Sequence, residues 1–237
     1  MHIKEPVQIT ERIYGRKKDM DASVKFAKRI AATEFDNLSE KEVLIGKYSI
    51  MDAVGTLMAG STLGNKCHEM VAFVKEQGGK EEASVVGYGG KLPAVQAAFA
   101  NGATVHCLDF DDYYAKSATH PGLSCLAALL ASMEYSGNTE GKDVITALVL
   151  AADLIYRTGV VSSPRGQKEY GVFAAYANST FGSSAVSGKM LKLNEEQMIN
   201  CLGSGEECAA LVMYLSSYAA RYLTGQIIAI DGGFVSA

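Results

Sequence analysis

The densest group of ionisable side chains lies in residues 101–122, with the sequence NGATVHCLDFDDYYAKSATHPG. Its polar members are His106, Asp109, Asp111, Asp112, Tyr113, Tyr114, Lys116, Thr119 and His120. Carboxylates this close in sequence repel one another, which raises the pKa of at least one and makes a general acid or base possible near neutral pH. Imidazole already titrates there. The segment is therefore predicted to carry acid/base chemistry.

Two other interpretations of the same segment stay open. An Asp-x-Asp-Asp pattern near a histidine could hold a divalent ion through oxygen ligands, but this spacing is too common to predict a metal site. Alternatively, some of the aspartates cap helices and His106 is a hydrogen-bonded core histidine. For His106 by itself we favour this structural role.

The elements around the segment are predicted to be helices. Asn101-Gly102 and Pro121-Gly122 mark turns at its two ends, so its carboxylates are expected at helix ends or in a loop. Before and after it, apolar residues recur at three- and four-residue spacings, starting with ASVKFAKRIAATEF from Ala22. The pattern predicts a mostly α fold, a helix bundle in which residues 162–171 form one polar loop.

The longest apolar stretch is predicted to be a buried helix. Ser39 and Glu42 have capping-box spacing and precede the run VLIGKYSIMDAVGTLMAGS. Gly46, Gly55 and Gly60 lower helix propensity within this run. In so apolar a helix, the glycines are expected to allow close packing against neighbouring helices.

Composition narrows the range of partners and compartments. The net charge is -4, without a basic stripe, so no nucleic-acid partner is expected. The N-terminal residues 1–21 form a charged leader, and no signal peptide, membrane span or membrane partner is predicted. An odd number of cysteines without a C-x-x-C pair favours reduced thiols in the cytoplasm; they are Cys67, Cys107, Cys125, Cys201 and Cys208.

The last residues differ from the rest. After a boundary near Ser204, residues 205–237 read as a short helix-strand appendage, with AALVMYLSSYAARYLTGQIIAIDGGF similar to the end of short-chain dehydrogenases. The chain has no glycine-rich cofactor loop after a first strand and no plausible Tyr-x-x-x-Lys site. An NAD(P)-dependent oxidoreductase is therefore only a remote alternative.

Five stretches in order resemble one known family: KYSIMDAVGTLMAGS, VVGYGGKLPAVQAAFANG, HCLDFDD with HPG shortly after, ALVLAADLIYRTG, and STFGSSAVSGKMLKLNEEQ. Over residues 22–204 they resemble the helical domain of the 2-methylcitrate dehydratase (MmgE/PrpD) family. Its members include 2-methylcitrate dehydratase, cis-aconitate decarboxylase and iminodisuccinate epimerase, which use no metal and act at carbon beside a carboxylate. The resemblance implies a helical domain of this type with no metal and no cofactor.

The resemblance also implies roles for individual residues. Asp109, the first Asp of LDFDD, and His120 of the HP motif match the family's pocket and are predicted to be catalytic. Substrate-binding roles are predicted for Asp112, Tyr113, Lys116, Arg157 and Tyr176. Tyr113 stands where the family often has Thr, and Tyr176 stands where it commonly has a catalytic His. Family members are also longer, with further catalytic groups and a second, lid-like domain.

The sequence thus predicts a cytoplasmic lyase or epimerase, dehydratase-like, that transfers a proton at carbon beside a carboxylate of a small di- or tricarboxylate. A homodimer or higher homo-oligomer is expected, because a helical face left uncovered by a missing lid would be apolar. The alternative is a catalytically weak or inactive helical scaffold or carboxylate-binding protein. That alternative is favoured by Tyr176 and the missing lid, and opposed by the intact LDFDD and HPG motifs.

Overall fold

The computed structural model describes residues 22–170 and 174–203; of residues 162–170 and 174–177 it describes only the backbone. These residues are mostly helical, as predicted. The helices are α1 (Ala22–Ala32), α2 (Glu40–Leu63), α3 (Cys67–Glu76), α4 (Ala94–His106), α5 (Pro121–Ser136), α6 (Gly141–Tyr170), α7 (Ala174–Met190) and α8 (Glu195–Leu202). A 3-10 turn spans Phe35–Asn37, and strands β1 (Ala83–Ser84) and β2 (Lys91–Leu92) form one antiparallel pair.

The chain divides into two compact units. The larger, Thr33–Leu193, holds α2 to α7. In the described residues of the smaller, α1 packs against α8, and Lys28 Nζ lies 3.5 Å from Glu195 Oε1. The predicted leader, the boundary near Ser204 and the dehydrogenase-like appendage lie outside the described residues and stay predictions.

Helix α2 begins at the predicted capping box. The Ser39 backbone N–H donates to Glu42 Oε2 (2.7 Å), and the Glu42 N–H donates to Ser39 Oγ (3.3 Å). A Cβ at Gly60 would lie 2.1 Å from the Thr104 carbonyl oxygen, so glycine is needed for α2 to approach α4. Gly46 likewise packs against α6, but a Cβ at Gly55 would have nothing within 4 Å of it.

The prediction that α2 is buried is only partly right. One of its faces is in the core, through residues such as Ala53 and Leu57. The other exposes large apolar side chains because no described element covers it: Leu44, Ile45, Tyr48, Met51, Met58 and Leu63. Apolar composition predicted the helix, but it did not show how many faces have neighbours. Whether a second copy of the chain covers this face is a separate question, and the homodimer stays a prediction.

Helix α5 lies at the centre of the larger unit. It packs against α4, α6 and α7, and Leu126 and Leu129 are each 1% exposed. Helix α6 continues through Tyr170, so the polar loop predicted at 162–171 is wrong for residues 162–170. By length and composition alone, Gly141–Val161 of α6 could cross a membrane, and 44% of its most apolar 18-residue window is buried within the protein. Core helices pass the same test, so this is weak evidence for a membrane span.

The connection before α4, residues 77–93, is held by side chains from several helices. Asn101 Oδ1 accepts from the Val86 N–H (3.0 Å), and Asn101 Nδ2 donates to the Ser84 carbonyl (2.9 Å). Glu134 accepts from the Ser84 N–H (3.0 Å) and lies 2.8 Å from Lys91 Nζ. Backbone groups of Ser84 and Val86 thus find hydrogen-bond partners in the buried Asn101 and the partly buried Glu134. They fix the start of α4.

Candidate functional site

Two histidines and one aspartate meet where α4 ends and α5 begins. His106 is the last residue of α4, His120 is the N-cap residue of α5, and Asp111 lies in the connection. His106 Nδ1 is 3.0 Å and 3.2 Å from the two carboxylate oxygens of Asp111. His120 Nδ1 is 3.4 Å from Asp111 Oδ2. The Asp111 side chain is 0% exposed, so its carboxylate is enclosed between the two imidazoles.

The two imidazoles differ in how they meet Asp111. His106 Nδ1 has hydrogen-bond geometry toward the carboxylate, so with the proton on Nδ1 its Nε2 carries the free lone pair. His120 Nδ1 is at ion-pair distance but is not aligned for a hydrogen bond, and this buried atom has no hydrogen-bond partner. A small rotation of the His120 ring would complete the bond. Asp111 is thus placed to fix the tautomer of both rings.

Asp109 completes the group. It adopts a left-handed backbone conformation (φ 49°), and its N–H donates to the His106 carbonyl (2.9 Å), which turns the chain sharply out of α4. One donor atom from each of His106, Asp109, Asp111 and His120 lies within 4.8 Å of the others. We refer to these four residues as the Asp/His cluster. They offer two nitrogen and two oxygen atoms that could take a proton or ligate an ion.

Asp112 faces the start of α5. Its Oδ1 accepts from the Gly122 N–H at 2.7 Å, and a Cβ at position 122 would lie 2.6 Å from that oxygen, so this approach requires glycine. The pKa of Asp112 is raised to about 6, mainly by burial and also by the nearby charges of Asp111 and Asp52, which together outweigh the lowering by the Gly122 N–H and His120. This carboxyl can therefore carry a proton close to neutral pH.

Packing against α6 fixes the rest of the connection. The Tyr114 N–H donates to the Thr119 carbonyl (2.8 Å), and the buried hydroxyls of Ser117 and Thr119 are 2.8 Å apart. A Cβ at Gly159 would lie 2.6 Å from Ser117 Cβ, so the loop lies directly on α6. The ring of Tyr114 packs against Tyr156 at a tilt of 46°, with centroids 4.4 Å apart. These contacts hold the residues that precede His120 and so fix its position at the start of α5.

The remaining predicted residues are more dispersed. Tyr113 is 60% exposed, with its ring centroid 5.2 Å from that of His120. Lys116 is exposed. Arg157 Nε donates to Asp153 Oδ1 (2.8 Å) one turn earlier on α6. Tyr176 lies in α7, but its side chain is outside the described atoms.

The sequence did not predict that Asp111 and His106 would lie together with His120. The structural role favoured for His106 is incomplete, because its ring is hydrogen-bonded yet 30% exposed and part of the cluster. Asp111 was the middle carboxylate of a conspicuous motif. Nothing in the spacing showed that it, rather than Asp109, would lie between the imidazoles, since that depends on the turn at Asp109.

A cleft of about 460 Å³ leads to the cluster along α4 and α5. Its walls are mostly apolar or small, and His106 is the one member of the Asp/His cluster in them. The lining comprises Ala98, Phe99, Gly102, Ala103, His106, Cys107, Leu123, Ser124, Ala127, Ala128 and Ser183. A small molecule in this cleft would contact the cluster through His106.

Comparison with known proteins gives two kinds of relative. Residues 24–220 match the MmgE/PrpD N-terminal domain. Cis-aconitate decarboxylase of Aspergillus terreus is 28% identical over 167 residues (66% of this chain, 33% of that protein), and that of Homo sapiens is 27% identical over 173 residues (71% and 36%). The chain thus spans about a third of these relatives. The 7alpha-hydroxysteroid dehydrogenase of Bacteroides fragilis is 25% identical over 187 residues (70% and 69%).

Proposed function

Because this chain belongs to the MmgE/PrpD family, we propose that its Asp/His cluster transfers a proton at a carbon atom beside a carboxylate. The substrate would be a small di- or tricarboxylate, and the reaction a dehydration, decarboxylation or epimerisation. These reactions share that proton transfer. Since the chain spans about a third of the cis-aconitate decarboxylases it resembles, the whole reaction is proposed here for this chain rather than inherited from them.

The observation that carries the proposal is the buried Asp111 carboxylate between two imidazoles, 3.0 Å from His106 Nδ1 and 3.4 Å from His120 Nδ1. A carboxylate that accepts the Nδ1 proton leaves Nε2 as the base and stabilises the imidazolium that forms when Nε2 takes a proton. In this proposal His120 exchanges the substrate proton, and Asp111 is a positioning residue. Asp109, exposed beside them, supplies the second acid/base group.

One feature of the site favours the second candidate, a weakly active or inactive scaffold. Asp109, Asp111 and Asp112 form no ion pair with a described lysine or arginine, and the ion-pair partners of Asp111 are the two histidines. A substrate carboxylate therefore approaches a negatively charged site without a described cation to receive it. Charge stabilisation of this kind is usually the largest part of such catalysis, so its absence would weaken turnover.

Deuterium exchange tests the proposed step directly. The full chain is incubated in D2O with citrate, 2-methylcitrate, cis-aconitate or iminodisuccinate, and proton NMR follows both turnover and the loss of signals from hydrogens beside a carboxylate. The variant His120→Gln removes the proposed base. His68→Gln is the matched control, because His68 packs against Tyr88 with ring centroids 5.0 Å apart and is not part of the cluster.

Exchange or turnover in the parent chain and in His68→Gln, with at least a 100-fold loss in His120→Gln, is the expected result. Equal rates in the two variants would remove His120 from the mechanism. If none of the four acids reacts or raises the melting temperature, the scaffold candidate replaces the enzyme. A melting-temperature rise with NAD+ or NADP+ alone would instead support the remote oxidoreductase alternative.

A further inference from the structure

We propose that the exposed face of α2 binds the same face of a second copy of this chain, and that the two helices pair as a parallel two-stranded coiled coil. The partner is thus another molecule of the same protein, related by a two-fold axis that runs along the helices. The inference does not rest on the proposed proton transfer, because α2 contributes no residue to the Asp/His cluster. It gives the predicted homodimer a surface and an orientation.

The apolar side chains on this face of α2 repeat every seven residues. Leu44, Met51 and Met58 form one row, and their exposed fractions are 48%, 67% and 50%. Tyr48, 57% exposed, and Gly55 form a second row between them. Alternating steps of four and three residues are the spacing of a coiled-coil seam. We refer to these five residues as the α2 seam, which spans about four turns of the helix.

The opposite face of α2 has the same period but belongs to the core. Gly46, Ala53 and Gly60 are buried and are also seven residues apart. Cβ atoms at the two glycines would lie 2.8 Å from Val149 Cγ2 of α6 and 2.1 Å from the Thr104 carbonyl oxygen of α4. One face of α2 therefore packs inside the chain, and the α2 seam on the other side has the spacing that a second helix requires.

Gly55 is the glycine of α2 that the described core does not explain. A Cβ there would have nothing within 4 Å of it, whereas Gly46 and Gly60 lie against neighbouring helices. Glycine lowers the stability of a helix interior. A close approach of another backbone is a reason to have it in the seam between Met51 and Met58. The neighbour that this reason requires would be the α2 helix of a second copy.

Two charged side chains beside the seam specify the partner and its direction. Lys47 directly precedes Tyr48, Asp52 directly follows Met51, and both charged residues are exposed. In a parallel coiled coil, a residue before one seam position lies beside the partner residue five places further along, and opposite charges there select partner and orientation. Lys47 would therefore meet Asp52 of the partner subunit. The two-fold axis produces this ion pair twice.

Within one chain these two charges do not meet. Residues five apart on a helix do not face each other. Among the residues that the structure describes, no ion pair or hydrogen bond joins Lys47 or Asp52 to another side chain. Asp52 acts on Asp112 through its negative charge, which raises the pKa of that carboxyl. The α2 face thus carries both halves of an ion pair that a second copy would complete.

Sedimentation velocity of the full chain at a series of micromolar concentrations tests the pairing. The parent chain is expected to shift from monomer to dimer as its concentration rises. Met51→Glu brings two carboxylates together in the seam and should raise the Kd of the dimer by about 100-fold. Val95→Glu is the matched control, because Val95 is 69% exposed but lies on α4, and it should leave the Kd unchanged.

Exchange of the two charges tests the parallel register. Lys47→Asp and Asp52→Lys should each raise the Kd by about 10-fold, because like charges then lie side by side. An equimolar mixture of the two variants should recover the parent Kd, since each copy supplies the charge that the other lacks. A role of either residue within its own chain would not produce recovery on mixing.

Circular dichroism checks that each variant is folded, as expected for substitutions at exposed positions. A parent chain that is monomeric at every concentration, as it would be if another part of the same chain covered the face, would overturn the proposal. So would equal Kd values for Met51→Glu and Val95→Glu, or a mixture of the charge variants that binds no better than either alone. Deuterium exchange measures a different property, so this proposal and the proposed proton transfer fail separately.

Discussion

The two irregular connections on either side of α4 contain similar residues but use them differently. In residues 77–93 backbone groups are bonded by polar side chains of neighbouring helices, as Val86 and Ser84 are by Asn101 of α4. In residues 107–120 the polar side chains face one another, with Asp111 enclosed by two histidines. The first arrangement gives backbone N–H and C=O groups their hydrogen-bond partners. The second leaves donor and acceptor capacity for a proton, an ion or a ligand.

Carboxylates show the difference most directly. Burial raises the pKa of Glu134, but Lys91 and the hydrogen bonds from Ser84 outweigh it and hold the pKa below its usual value. Burial, together with the charges of Asp111 and Asp52, raises the pKa of Asp112 to about 6. A carboxylate whose charge the fold stabilises, Glu134, and one whose charge the fold destabilises, Asp112, thus lie near opposite ends of α5. The latter is a mark of functional sites.

The largest expected effect separates activity from stability. Asp111→Asn should reduce deuterium exchange at the substrate by about 100- to 1,000-fold, a barrier increase of about 3 to 4 kcal/mol, because the tautomer of His120 is no longer fixed. Its free energy of unfolding should change by less than about 1.5 kcal/mol. Rates from proton NMR and urea denaturation measure the two. A large loss of stability with unchanged exchange would place Asp111 with the structural residues.

Asn101→Ala should instead lower stability and leave deuterium exchange at the substrate largely unchanged. It removes the side-chain partner of the partly buried Val86 N–H and Ser84 carbonyl, and Asn101 is 1% exposed, so the free energy of unfolding should fall by about 2 to 3 kcal/mol. Gln77 is exposed, and Gln77→Ala also removes a hydrogen bond from a side-chain amide to a backbone carbonyl; it should change the free energy of unfolding by less than about 0.5 kcal/mol. Urea denaturation compares the two, and equal effects would contradict the structural role of Asn101.

Asp112→Asn should stabilise the protein. The pKa of Asp112 is about 6 in the folded protein and about 3.9 in the unfolded chain, so the ionised carboxyl destabilises the fold. The contribution of the protonated carboxyl to stability is fully present below the unfolded pKa and is lost as pH rises through 6. Partial exposure reduces the effect, so we expect a gain of about 1.5 kcal/mol at pH 8 that disappears near pH 4. Urea denaturation in EDTA at both pH values measures it. A loss at pH 8 would show that the ionised form is favoured.

Glu134→Gln should lower stability at pH 8, whereas Asp112→Asn should raise it. The pKa of Glu134 is lowered in the fold, so its contribution is present above the unfolded pKa and is lost as pH falls through the folded one. Glutamine keeps an acceptor for the Ser84 N–H but loses the charge that Lys91 pairs with, at 2.8 Å. We expect a loss of about 1 kcal/mol at pH 8, shrinking in acid. Thermal unfolding of parent and variant across pH checks it.

The smallest effect is expected at Arg157. Its described partner is Asp153, one turn away on the same helix and at the surface, and such pairs contribute less than about 0.5 kcal/mol. Arg157→Gln should therefore change neither stability nor exchange beyond that amount. A several-fold rise in KM for a carboxylate would instead confirm the substrate-binding role predicted from the sequence.

Local rules explain what could be read from the sequence. Helical periodicity predicted a mostly α fold, and the Ser39 and Glu42 pair fixed the start of α2 because a capping box involves only neighbouring residues. The site segment was found for a similar reason, since closely spaced carboxylates interact wherever the chain goes. The exposed face of α2 and the continuation of α6 were not predicted, because they depend on which neighbours are present.

The sequence by itself determined where acid/base groups concentrate and that helices would carry them. Only the tertiary structure decided which of them meet. The left-handed turn at Asp109 directs Asp111 inward, and the packing of the loop against Gly159 returns the chain so that His120 reaches the same carboxylate as His106. A side chain's partner is set by the path of the backbone between distant contacts, and residue spacing along the sequence does not contain that path.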